Sequence, residues 1–466
     1  MHESLPKKVS FLILLVSFVL ASLFYVPVPA SALDRHIVAP GDTLYRIAPK
    51  YQVSVDELLQ SNHLQSDTIY TGQALVIPEK LQTHIVVQGE SLYRISKLYG
   101  VSPTILEQIN NLSDDTIYAG QRLKVNALGY QRPEAMIIGY YTDEEPNLGS
   151  SAWSASAHMN SMSRLAPFWF RLNRYDPTQL ETMDTFDETE ARKVVATAHA
   201  QGVPVIPVIH NFLYPERSFP SKLVNQMLSS EENRQKCISN IIQLIQYYQF
   251  DGVNMDFEGL RSSDRDRLSI FYQELGEQLK ARGYIFTVAV PAKSQDSITN
   301  PWSAPYDYEA IGKAADQVML MMYNEHGFPG SGPGPVSSMG FNHAVVDYAV
   351  KTIPAYKIIL AEPVFGFDFN LDTGKYAYLS HEQAMERFED FSTVSSFDVN
   401  SRSGVLRYVD PQNNQRHEVW YENALSLKRK LELIRQYDLG GVALWRLGME
   451  DPAIWSVIQE KITVIR

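Results

Sequence analysis

From about Glu134 to the C-terminus, short apolar runs alternate eight times with stretches long enough for helices, and no other feature narrows the fold as much. The runs are 136–141, 166–172, 204–210, 252–258, 285–291, 318–323, 358–363 and 441–445, and the helix-like stretches between them include 188–201, 231–248 and 264–282. A strand followed each time by a helix can pair in parallel with its successor, because the helix supplies the crossover. Eight such units predict an α/β chain closed into a (β/α)8 barrel spanning 134–466, with its chemistry at the C-terminal ends of the strands. One stretch is too long for a strand-to-helix loop. From 369 to about 423 the chain has strand-like runs of its own, 404–409 and 417–421, and predicts a small inserted α+β subdomain.

The fourth run reads Asp251-Gly252-Val253-Asn254-Met255-Asp256-Phe257-Glu258. In a strand this alternation puts Asn254, Asp256 and Glu258 on one face and Val253, Met255 and Phe257 on the other. The apolar set packs under the helices of a closed barrel, so the polar set points inward. Burying two carboxyls side by side is costly. What it provides is an acid, because the charge of one carboxylate raises the proton affinity of its neighbour. Glu258, at the C-terminal end, is the natural general acid.

This run resembles the D-G-x-D-x-D-x-E signature of glycoside hydrolase family 18, the chitinase-like family; Asp251, Gly252, Asp256 and Glu258 match it. Other runs are similar in order: Gly139-Tyr140 in the first, Met321-Met322-Tyr323-Asn324 in the sixth, Pro363-x-Phe365-Gly366 after the seventh, and 441–445, ending in Trp445, in the eighth. The resemblance implies that Glu258 protonates the glycosidic oxygen, Asp256 orients the substrate acetamido group and Tyr323 bonds its carbonyl. Trp445 would floor the sugar pocket, Tyr140 and Asn324 would contact substrate, and Asn254 and Asp251 would complete the catalytic row. Asn254 and Asn324 replace an Asp of the family pattern, which bears on the proton relay more than on the reaction.

Ahead of the barrel, 36–78 aligns without gaps on 84–126, with about half the paired positions identical. Each copy reads as a short strand, a Gly-acid turn, two helices and a closing strand, a βααβ unit. Both copies resemble LysM domains, in 36–79 and 84–126, through their G-[DE]-[TS]-L start, Asn62 and Asn110, and D-T-I-Y-x-G-Q-x-L. That resemblance implies binding of N-acetylglucosamine polymers, peptidoglycan or chitin, through Asp42, Thr43, Leu44 and Ile69 and through Glu90, Ser91, Leu92 and Ile117. The alternative for the four apolar residues is core. The stretch 127–133 reads as a linker. The run Tyr323-Asn324-Glu325-His326-Gly327, followed by Gly332-Pro333-Gly334-Pro335, is similar to the LysM-bearing branch of spore-forming bacteria, whose members act on peptidoglycan and spore cortex fragments.

Lys7 and Lys8, an apolar run over 11–26 and Ala30-Ser31-Ala32 form the n-, h- and c-regions of a signal peptide in 1–32. An uncleaved anchor is the alternative reading. Either way the chain is expected outside the cell, with the wall or spore envelope. Lys+Arg 41 against Asp+Glu 53 leaves a net charge of -12, which disfavours nucleic acid. The sequence has no G-x-x-x-x-G-K-[ST] for a nucleotide and no H-E-x-x-H. Its one cysteine, Cys237, excludes an internal disulfide and a thiolate metal cluster. The expectation is a monomeric, cofactor-free and metal-free retaining N-acetylglucosaminidase acting on peptidoglycan, with a chitinase or a silent wall-binding lectin as rivals.

Overall fold

A computed structural model describes residues 35–466 apart from 52, 63, 65, 72, 77–80, 127–131, 143, 144, 146, 147, 214–217 and 392. The expected signal peptide and most of the expected linker lie outside the described residues. Contacts divide the chain into two compact units, one holding the first repeat and the other holding His84–Leu123 with Tyr130–Arg466.

In the first repeat, Arg35–Ile37 pairs antiparallel with Ala74–Val76, and helices Leu44–Lys50 and Val55–Ser61 lie between them in sequence. Leu44, Ile47, Val53, Leu58 and Leu75 form its core. A small polar closure sits beside that core. His36 bonds the Tyr51 hydroxyl at 3.0 Å through Nδ1 and the Asp42 carboxylate at 2.7 Å through Nε2, while the Ala39 N–H donates to Asp42. The second repeat has the same closure in His84, Tyr99, Glu90 and the Val87 N–H. Its helices are Leu92–Tyr99 and Pro103–Asn110.

The barrel strands are β1 (Glu134–Tyr141), β2 (Arg164–Pro167), β3 (Val208–His210), β4 (Gly252–Asp256), β5 (Ile285–Pro291), β6 (Gln317–Met321), β7 (Ile358–Pro363) and β8 (Gly441–Trp445). All neighbours pair in parallel, β8 pairs with β1, and a bridge from Leu165 to Val205 joins β2 to the segment leading into β3. The expected run 166–172 is divided: β2 stops at Pro167, and Phe170–Leu172 pairs with β3 and with Leu180–Thr182. Side chains alternate across the wall. Ile138, Tyr140, Ala166, Val208, Ala289, Met319, Ile359 and Ala443 fill the interior, while Val253, Met255 and Phe257 pack outward under the helices.

The inserted subdomain begins at Phe365, ahead of the expected 369, because the chain re-enters a strand directly after β7. Its five antiparallel strands run in the spatial order Tyr376–Ser380, Phe365–Asn370, Arg416–Tyr421, Ser403–Val409, Val394–Asp398, with helix His381–Asp390 between two of them in sequence. A buried charge cluster ties this sheet to the barrel. Lys430, 1% exposed, pairs with Glu422 at 2.8 Å and with Glu362 of β7 at 3.3 Å. Ser337 and Ser403 donate to the two carboxylates.

The second repeat packs on the catalytic unit. Val87 is buried in the main barrel cluster, and Arg94 pairs with Asp347 and lies 4.3 Å from the Tyr437 ring centroid. Gln436 donates to Glu90, Lys97 pairs with Asp438, and Arg402 donates to the Ile85 carbonyl.

Candidate active site

The ladder between β3 and β4 ends at the pair His210 and Asp256, so the chain carrying Phe257 and Glu258 leaves the sheet at the mouth of the barrel. Asn254 and Asp256 point inward, as the alternation requires. Asp256 is 6% exposed, and burial pushes its carboxyl up to about 7. Burial, and then the charge of Asp256, push Glu258 well above the usual carboxylate range. Two acids two residues apart, one on the last residue of β4 and one just past it, thus hold a proton at neutral pH. Such a pair can donate to a leaving oxygen and take the proton back from water.

Around the pair the barrel supplies aromatic hydroxyls and faces. The hydroxyls of Tyr140 and Tyr323 are raised well above their ordinary value, by burial first and then by the charges of Asp256 and Glu258. Both therefore remain neutral donors. Trp445 stands at the end of β8 with its indole edge-to-face on Tyr140 (5.2 Å) and Phe168 (5.5 Å). Asn324 follows Tyr323 in the left-handed region at φ 62 and is exposed at the rim. Asn254 is fully buried: Tyr140 donates to its Oδ1 at 3.3 Å, and its amide donates to Thr287 at 2.8 Å. An amide serves both bonds without charge at this depth.

Asp251 is a correction. It belongs to the opposite end of β4 from Glu258, where it pairs with His199 at 2.8 Å and accepts the Val205 N–H. It anchors the start of the strand and lies far from the chemistry. In the repeats the expected residues have partners of their own. Leu44 and Leu92 are 0% and 1% exposed, so their side chains are core. The Glu90 side chain is 2% exposed and already bonded to His84, Val87 and Gln436. Asp42 keeps 25% exposure, yet its carboxylate closes the turn with His36. Thr43 and Ser91 cap the first helices by accepting the Arg46 and Arg94 N–H. Ile69 and Ile117 are half-buried. The rings that stand out into solvent are instead Tyr45, Tyr70, Tyr93 and Tyr118, each more than 60% exposed.

Four residues around the site escaped the sequence reading. Asn211 bonds both peptide groups of Glu258, and the Tyr306 hydroxyl donates to the Phe257 carbonyl at 2.6 Å. Thr287 holds Asn254. His210 is stacked on Phe168 at 3.8 Å, and burial holds its imidazole well below the ordinary value, hence neutral. Of these only the polar pair His210-Asn211 closing an apolar run left a sequence signal. Among the described residues, no group of three His, Cys, Asp or Glu side chains could hold a metal ion.

Comparison with known proteins finds two families in the chain. The model for glycosyl hydrolases family 18 matches residues 218–450, and the LysM domain model matches 36–78 and 84–126. The cortical fragment-lytic enzyme of Bacillus subtilis (strain 168) is 32% identical over 446 residues, covering 92% of this chain and 98% of that protein. The putative sporulation-specific glycosylase YdhD of the same organism is 30% identical over 415 residues, covering 88% and 94%. The crystal structure of the Bacillus cereus spore cortex-lytic enzyme SleL superposes with a TM-score of 0.67 at 27% identity, covering 93% of this chain and 99% of that one.

Proposed function

This chain belongs to glycosyl hydrolases family 18 and carries two LysM domains, and from that premise we propose that it is an exported, monomeric N-acetylglucosaminidase of peptidoglycan, active on spore cortex fragments. The observation that carries the reading is the Asp256–Glu258 pair: two inward carboxyls with raised proton affinity at the C-terminal mouth of the barrel. The names borne by the relatives over nearly their full length support cortex as the substrate.

The reaction follows from the pair. Protonated Glu258 gives its proton to the glycosidic oxygen as the β-1,4 bond after N-acetylglucosamine breaks. Asp256 holds the acetamido N–H, so that the substrate's own carbonyl oxygen attacks the anomeric carbon from the opposite face; the nucleophile belongs to the substrate. Tyr323 bonds the acetamido group and Trp445 floors the sugar. Glu258, now a carboxylate, takes a proton from water, and the water opens the cyclic intermediate with overall retention.

The test is to incubate the protein separately with cortex muropeptides and with chitin oligosaccharides and to identify the new ends by mass spectrometry. Release of ends after N-acetylglucosamine from muropeptides is expected; cleavage of chitin alone would overturn the substrate assignment. Proton NMR should show the β anomer first. Comparable turnover of a substrate lacking the N-acetyl group at the cleaved site would refute the substrate-assisted step.

A further inference from the structure

The side chain of Glu258 owes its aim to its backbone, because no group among the described residues hydrogen-bonds its carboxylate. That backbone has left the sheet. The β3–β4 ladder stops at Asp256, and Gly259, in the left-handed region at φ 63, turns the chain away directly after Glu258. A peptide segment outside a ladder needs other partners for its N–H and C=O when it is buried. One residue supplies both for Glu258. Asn211, 0% exposed and one position past the end of β3, accepts the Glu258 N–H through Oδ1 at 2.8 Å and donates from Nδ2 to the Glu258 carbonyl at 2.8 Å. The two bonds bracket the Glu258 α-carbon, so together they fix the direction of its side chain.

We propose that Asn211 is the positioning residue for the general acid: its carboxamide replaces the missing ladder and holds Glu258 in line with the leaving oxygen. The proposal rests on Glu258 being that acid. Asn suits the role because only a carboxamide presents an acceptor and a donor in one plane at this reach. Asp could accept the N–H and not return a donor to the carbonyl. A displacement of the order of an ångström at a reacting group costs about a hundredfold in rate.

The experiment compares two substrates in the full-length protein. One is tri-N-acetylchitotriose, whose leaving sugar needs a proton; the other is the dinitrophenyl β-glycoside of di-N-acetylchitobiose, whose phenolate leaves without one. The quantity read is kcat/KM, which covers events up to the first bond cleavage and so excludes the later base step. Asn211→Ala should lower kcat/KM about a hundredfold on the trisaccharide and less than about fivefold on the aryl glycoside. Asn211→Asp, which keeps one of the two bonds, should fall between and serves if the alanine variant fails to fold. Glu258→Gln should give the same leaving-group pattern, and adding Asn211→Asp to it should cost nothing more on the trisaccharide. Equal losses on both substrates in the Asn211 variants, with Glu258→Gln still selective, would overturn the positioning role alone. A Glu258→Gln variant that keeps its activity on the trisaccharide would instead overturn the assignment of the acid.

Discussion

Glu362→Gln tests the buried junction between barrel and inserted sheet. Glu362 is 0% exposed on the outward face of β7, and burial raises its carboxyl to about 7 in spite of Lys430 at 3.3 Å. The nearby Glu422 adds to the rise, and Lys430 serves both carboxylates. A carboxyl held at about 7 rather than 4.5 binds its proton more tightly in the folded chain than in the unfolded one by about 3 kcal/mol. Because the folded state keeps a proton that the unfolded chain releases, this stability is fully present below about 4.5 and is lost as pH rises through about 7. Gln has the same shape and stays neutral. The variant should therefore match the parent chain near pH 4 and exceed it by up to about 3 kcal/mol near pH 8. Asp256 and Glu258 slope the same way in both proteins and cancel in the difference. Urea unfolding at each pH, followed by tryptophan fluorescence, reads the effect. A variant less stable at pH 8, or two parallel curves, would mean that the ion pair with Lys430 outweighs the cost of burying the charge.

Asp256→Asn removes the charge that, after burial, raises Glu258, so the alkaline limb of the kcat/KM profile should move to lower pH. The rate should fall at least about a hundredfold, because the acetamido group loses its alignment; an unmoved limb would leave burial as the sole cause. Val87→Asp should cost several kcal/mol in the melting of the catalytic unit, since it places a charge in the main cluster. Unchanged melting of Val87→Asp in calorimetry would refute the burial of Val87 in the main cluster.

The parts legible in the sequence were those written in local periods. Alternation over 252–258 separated Asn254 and Asp256 from Val253, Met255 and Phe257, and the eightfold repetition of strand and helix gave the barrel. The parts that stayed hidden are made by the topology. Glu362, Glu422 and Lys430 meet only because the inserted sheet folds back on β7. Arg94 and Asp347 meet only because the second repeat packs on the catalytic unit. Strand four shows the difference, since Asp251 and Glu258 flank it at opposite ends and only Glu258 lies at the mouth of the barrel.

The acid of each Gly-acid turn is legible in the sequence, and so are the partners that bond it. Asp42 and Glu90 follow a glycine on an exposed turn, the setting in which a carboxylate is expected to meet a polar ligand. Each copy also carries a histidine six residues earlier and a tyrosine nine residues later: His36 and Tyr51, His84 and Tyr99. The three side chains and one backbone N–H satisfy one another in both copies. In a unit too small for a large apolar core, that closure fixes the turn. Where a polar residue repeats together with two partners able to saturate it, the physical expectation is a bonded set, and a glycan is then expected to meet the exposed tyrosines. Losing His36 would then free the Asp42 carboxylate, so His36→Ala should loosen the turn of the first repeat and weaken retention on insoluble peptidoglycan. Tyr70→Ala should weaken retention without altering the turn, and amide exchange at Ala39 distinguishes the two. Protection at Ala39 lost in both variants, or in neither, would refute this division.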